Sequence, residues 1–186
     1  MDIKDFALYG LNDAWAYLMQ ALDGLTDDEL MWQPQPSANH IAFILWHMFR
    51  EEDRFFQYKL QGIPQIWEEG KWHQRLDLTH DPQDVGFGWT AAQVAAFPHI
   101  KLGDLLAYGE AVRTRTLDYL RNADYGIMGA IVTSDVFGDT SVGNRISHLI
   151  VELAEHTGQI DYIRGLTKPR EQPQERHRRH ANDVSN

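Results

Sequence analysis

The stretch Ser147-His-Leu-Ile-Val-Glu-Leu-Ala-Glu-His-Thr-Gly-Gln-Ile-Asp-Tyr-Ile-Arg164 constrains the fold more than any other part of the chain. No proline interrupts it, and Leu149, Leu153, Ile160 and Ile163 recur at helical intervals, so it predicts one long amphipathic helix. At 3.6 residues per turn, Glu152 and His156 stand one above the other. They share their side with Leu149, Ile160 and Ile163, which leans a carboxylate and an imidazole toward the apolar interior. A carboxylate taken out of water must be paired, hydrogen-bonded or bound to a metal, so the helix asks what Glu152 faces.

With 186 residues the chain can bury a substantial core, and it reads as a helical body over residues 1–167 followed by a polar basic tail over 168–186. It has no cysteine, which excludes disulfides, thiolate metal sites and a cysteine nucleophile. The start, Met1-Asp-Ile-Lys-Asp-Phe6, has no basic segment leading into an apolar one, and no long apolar run follows, so a cytoplasmic protein without a membrane span is expected. Net charge is −10, and the tail holds five Lys/Arg against three Asp/Glu, which makes the body more acidic still. Such a surface repels phosphates and argues against nucleic acid as a partner.

Leu8, Leu11, Trp15, Leu18 and Leu22 predict a first helix from about Lys4 to Leu22, ended by Gly24. Thr26-Asp-Asp-Glu29 has capping-box spacing and opens a short turn that Pro34 and Pro36 stop. Ser37 is the expected cap of a second long helix, Ala38 to Leu60, in which His47 lies on one side with His40, Phe43, Ile44 and Glu51. Residues 61–102 are broken by Gly62, Pro64, Gly70, Pro82, Gly86, Gly88 and Pro98 and carry Trp67, Trp72, His73 and Trp89. That segment reads as an ordered, aromatic-packed connection, with a second capping box at Thr90-Ala-Ala-Gln93. A third long helix is expected from Leu102 to Asn122. After a glycine-rich link, in which Ala130-Ile-Val-Thr133 is extended at most and not part of a sheet, Thr140 or Ser141 caps the fourth helix, which runs to about Leu166. The expected fold is all-α, a four-helix bundle with a long irregular connection between helices 2 and 3.

Two of these helices can assemble a site. His47 from the second, with Glu152 and His156 from the fourth, gives two imidazoles and one carboxylate with room for water or substrate. The set suits zinc and admits iron, nickel or another divalent ion; ligand type does not choose among them. Glu-x-x-x-His is also a common surface pair, so the spacing alone does not decide for a metal. His148 is placed as a supporting or structural residue, and Gln159 and Glu51 as hydrogen-bonding partners that orient the ligands. Arg145 and Arg164 suit an anionic ligand or ordinary ion pairs equally. In the tail, His177 and His180 are read as solvated.

Thr26-Asp-Asp-Glu-Leu-Met-Trp-Gln-Pro34, the block Ser37 to His47, and His148-Leu-Ile-Val-Glu-Leu-Ala-Glu-His-Thr-Gly-Gln-Ile-Asp161 together resemble the DinB-like superfamily. Within it the chain is most similar to the branch containing mycothiol-dependent maleylpyruvate isomerase, where a glutamate takes the first of two places that elsewhere hold histidines; here these are Glu152 and His156. The resemblance implies a metal-binding bundle with His47, Glu152 and His156 as ligands, and a homodimer. It further implies a thiol S-transferase or isomerase working with mycothiol, bacillithiol or glutathione on an electrophilic small molecule. A metal-dependent hydrolase and a non-catalytic, stress-related binding protein are the alternatives.

Overall fold

The structure, a computed structural model, describes residues 2–134 and 138–167. His177 and His180 lie outside the described residues. The first helix, α1 (Ile3–Leu22), is capped by the Asp2 carboxylate and buries Ala7, Leu11, Ala14, Leu18, Ala21 and Leu22. The Thr26 hydroxyl accepts from the Glu29 amide and the Glu29 carboxylate from the Thr26 amide, and α2 (Asp27–Met31) starts there as the spacing predicts.

The second long helix departs from its expected bounds. Ser37 does not cap it: α3 (Ile41–Asp53) begins at His40, whose Nδ1 accepts from the Phe43 amide at 3.0 Å. After Asp53 the chain continues as a π-helical segment, Arg54–Leu60. Almost every residue of α3 is buried, including Arg50, Glu51, Glu52 and Asp53, which marks it as the central helix of the core. Its buried charges are paired: Arg50 with Asp53, and Glu52 with Arg113 of α7 (Leu102–Asn122) at 2.8 Å. Gly109 brings α7 close to α3, because a Cβ there would fall 2.6 Å from ring carbons of Phe49.

Between these helices the connection holds three short ones, α4 (Ile66–Glu69), α5 (Trp72–Arg75) and α6 (Ala91–Ala95), the last opened by the Thr90/Gln93 capping box. Trp67 and Trp72 are buried, and Trp46, Trp89, Phe43 and Phe97 pack ring against ring, so the tryptophans of this segment serve the core. A 3₁₀ turn (Tyr125–Gly129) leads into a feature absent from the sequence reading. Strands β1 (Ile131–Ser134) and β2 (Gly138–Ser141) pair antiparallel as a hairpin, Ile131 opposite Ser141 and Ser134 opposite Gly138. Ser141 then caps α8 (Val142–Thr167), its hydroxyl accepting from the Asn144 amide at 3.2 Å.

The long helices pack side by side, α8 against α1 and α3, and α7 against α3 and α1. The buried stripe of α8 is Val142, Ile146, Leu149, Leu153, Thr157, Ile160 and Ile163. The Arg164 guanidinium bonds the carbonyls of Ala21 and Asp23, closing the C-terminal end of α1. No helix among the described residues is long and apolar enough to cross a membrane.

Candidate metal centre

Where α3 crosses α8, His47, Glu152 and His156 meet. His47 Nε2 lies 3.3 Å from Glu152 Oε1, and His156 Nε2 lies 3.8 Å from the same oxygen. One ligand atom from each residue falls within 4.8 Å of the others, and among the described residues this is the one such group of three. All three side chains are half-buried, at 13%, 19% and 19% exposure, so they sit at the rim of the core with access from outside. The structure thus places Glu152 and His156 at the margin of the apolar stripe, where the helix periodicity had leaned them toward the interior.

The other nitrogen of each imidazole is occupied. His47 Nδ1 lies 2.6 Å from the Val85 carbonyl oxygen, and His156 Nδ1 lies 3.0 Å from Gln159 Oε1. Both partners are oxygens that accept, so each Nδ1 carries a proton; His47 Nε2, when protonated, donates to Glu152, and each Nε2, when deprotonated, offers its lone pair to a metal. Phe43, one turn before His47, stacks parallel to its ring at 6.3 Å, and the His47 and His156 rings meet edge to face at 5.1 Å.

The charges of the cluster act on one another. Burial pushes His47 down, but its bond to Glu152, the Val85 carbonyl and the Glu51 charge outweigh that and hold it above the ordinary histidine value. Burial pushes Glu152 up, and the three histidines around it outweigh that, so it is held below the usual carboxylate value. His156 is lowered, chiefly by burial, against the opposing bond to Gln159.

The sequence-predicted neighbours separate. Gln159 orients His156 as expected. Glu51 does not bond a ligand: both of its oxygens accept from Arg54 Nη2 at 3.1 Å, and it acts on His47 through its charge alone. His148 is the more exposed, with Nε2 3.9 Å from Glu152 Oε2. The Val85 carbonyl had no side-chain signature in the sequence. Its one trace is Gly86, at φ 82°, where a Cβ would lie 2.8 Å from the rings of Phe43 and Trp46; only glycine lets this loop approach α3 closely.

The loop is itself pinned by α3. Arg50 donates to the carbonyls of Pro82 at 2.6 Å and Asp84 at 3.4 Å, and Gln65 Nε2 joins it on Pro82 at 2.8 Å. The residue after Asp84 is the one that holds His47. Arg50 and Gln65 thus hold the loop that carries the carbonyl facing His47 Nδ1.

With this geometry in place the comparisons are specific. The sequence matches the DinB superfamily over residues 11–160. The chain belongs to the DinB superfamily. The fold is similar to that of a conserved protein from Enterococcus faecalis, with a TM-score of 0.76 at 21% identity over 88% of this chain and 96% of that one. No curated protein matches the sequence.

The residues fit a divalent ion. Ligands about 2.0–2.2 Å from a tetrahedral centre stand roughly 3.3–3.6 Å apart; the two histidine–glutamate separations here are 3.3 and 3.8 Å, and all three ligand atoms lie within 4.8 Å of one another. Two neutral imidazoles and a carboxylate are a borderline donor set that zinc accepts, as do iron and nickel.

Proposed function

We propose that this DinB superfamily protein binds a divalent metal ion, zinc in the first instance, through His47, Glu152 and His156, in a four-helix bundle that uses it for thiol transfer. The observation that carries the reading is the pair of imidazoles whose Nδ1 atoms donate to Val85 and Gln159, leaving both Nε2 atoms convergent on one carboxylate oxygen. A hydrogen-bonded polar cluster without a metal needs no such doubled constraint.

When bound there, the ion lowers the pKa of a thiol that reaches it and so favours the nucleophilic thiolate. The chain has no cysteine, so the sulfur must come from a small thiol co-substrate such as mycothiol, bacillithiol or glutathione, with an electrophilic small molecule as the acceptor. The protein's own part is to hold three ligands at the rim of the core, fix their tautomers and shield one side with the Phe43 ring. A homodimer is part of the proposal, supported by the exposed apolar side chains Ile3, Phe6, Tyr9 and Tyr17 along α1.

Cobalt(II) substitution tests the thiol reading. The cobalt-loaded protein is expected to develop a near-ultraviolet sulfur-to-metal absorption when a small thiol is added. A visible cobalt spectrum that no thiol alters would leave a metal protein and remove the transferase.

A further inference from the structure

His47 is held from behind by a backbone group, so its orientation depends on whatever holds that group. The Val85 carbonyl, 2.6 Å from His47 Nδ1, and the Gly86 amide N–H belong to one peptide unit. That unit is planar and trans, so its oxygen and its hydrogen point to opposite sides. On the hydrogen side stands Asp84, whose Oδ1 accepts from the Gly86 amide at 2.9 Å. A carboxylate, a peptide group and an imidazole therefore lie in series, each bonded to the next.

The carboxylate is itself fastened. Trp89 Nε1 donates to the same Oδ1 at 3.0 Å, and the Asp84 carbonyl accepts from Arg50 Nε at 3.4 Å. An aspartate that bonds the amide two residues on closes a short side-chain turn, and the Trp89 amide closes the next turn on the Gly86 carbonyl at 3.2 Å. The Trp89 ring then packs 5.5 Å from Phe43, which stacks on His47 at 6.3 Å. Asp84 thus reaches His47 by two routes, through the Val85–Gly86 peptide and through the Trp89 and Phe43 rings. Val85 and Gly86 are both buried, so the peptide between them is shut off from water. An N–H given to a carboxylate polarises its peptide and makes the carbonyl at the other end a stronger acceptor, the more so away from water. That carbonyl then holds the Nδ1 proton more firmly and makes Nε2 the better donor to a metal.

We propose that Asp84 is a positioning residue of the candidate centre: through the Val85–Gly86 peptide it holds a proton on His47 Nδ1 and directs Nε2 toward Glu152. The benefit to a metal rests on the proposed function; the chain of bonds from Asp84 to His47 does not.

The test compares three substitutions in the full-length protein. Asp84→Ala removes the acceptor, Asp84→Asn keeps an oxygen in the same place, and Asp84→Glu keeps the charge on a side chain one methylene too long to close the turn. In the metal-free protein, proton–nitrogen NMR reads the His47 Nδ1 proton, whose exchange with water the Val85 carbonyl slows. The signal is expected in wild type and Asp84→Asn and is expected to be lost in Asp84→Ala, with Asp84→Glu in its place should the alanine variant fold poorly. No such signal in wild type, or one that survives in folded Asp84→Ala or Asp84→Glu, would overturn the proposal. Zinc affinity, measured by competition with a chelator, is expected to fall about 10–100-fold in Asp84→Ala and to recover in Asp84→Asn. Wild type and Asp84→Ala that bind zinc equally would overturn the positioning role. A wild type that takes up no zinc would instead remove the proposed function, and the Nδ1 signal would still decide for or against Asp84.

Discussion

Replacing Arg50 by Met separates the structural from the ligand-positioning role of the polar core. Arg50 is wholly buried and donates to Pro82, Gln65, Tyr108 and Asp84, at 2.6, 2.8, 3.1 and 3.4 Å, besides its 3.5 Å ion pair with Asp53. Asp53 would keep the amides of Ile66 and Trp67 and the Tyr108 hydroxyl but lose its cation. Breaking one side of a buried pair costs about 3–5 kcal/mol, against a total of about 5–15 kcal/mol for a domain. Urea denaturation should therefore show a lower midpoint with an unchanged slope. Burial already pushes the Asp53 carboxyl up, partly offset by Arg50, and without Arg50 it rises further. A carboxyl raised in the folded state favours folding below its unfolded value and loses that advantage as pH rises. The deficit of the variant should accordingly be largest near neutrality and shrink in acid. The loop freed from Arg50 carries Val85, so zinc affinity should also fall about 10–100-fold, as for other partners that orient a metal ligand. A stability loss below about 1 kcal/mol would refute the pairing argument. Full stability loss with unchanged zinc affinity would refute the link from Arg50 through Val85 to His47.

Gln159→Ala should weaken zinc binding about 10–100-fold in a chelator competition, with stability within about 0.5 kcal/mol of wild type because Gln159 is exposed. Gly109→Ala forces a Cβ onto the Phe49 ring and should cost about 1–3 kcal/mol in thermal or urea unfolding while metal stoichiometry is retained. Zinc affinity should decline as pH falls, because protons compete for the same Nε2 lone pairs. With His47 held above the ordinary histidine value, the decline should begin at a higher pH in wild type than in Glu51→Gln.

The long helices were legible because each carries an apolar repeat that only a helix can bury on one side. The capping boxes at Thr26 and Thr90 were legible because their hydrogen bonds are local. α7 was legible at both ends, from Leu102 to Asn122. What was not legible depends on contacts made at a distance. Ser37 had the better capping chemistry, yet His40 takes the role, and its Nε2 also reaches the Val94 carbonyl at 3.2 Å across the core. The hairpin pairs β-branched Ile131, Val132 and Thr133 with Ser141, Thr140 and Asp139, of a partner strand, Gly138–Ser141, whose composition argues for a loop. The π-helical segment after Asp53 has no sequence signature in helical periodicity. At the centre, His47, Glu152 and His156 could be brought together by helix geometry, whereas the backbone carbonyl of Val85 could not. Glu51 shows the limit of facing-residue arguments: it stands on the expected side of α3 and is claimed by Arg54.

The central claim is that His47, Glu152 and His156 hold a metal ion. Elemental mass spectrometry of tag-free, dialysed protein tests it most directly, on wild type beside His47→Ala, Glu152→Ala and His156→Ala. Near one equivalent of divalent metal in the wild type, lost in each folded variant, is the predicted result. A wild type that carries no metal and takes up no added zinc, with variants of unchanged stability, would contradict it.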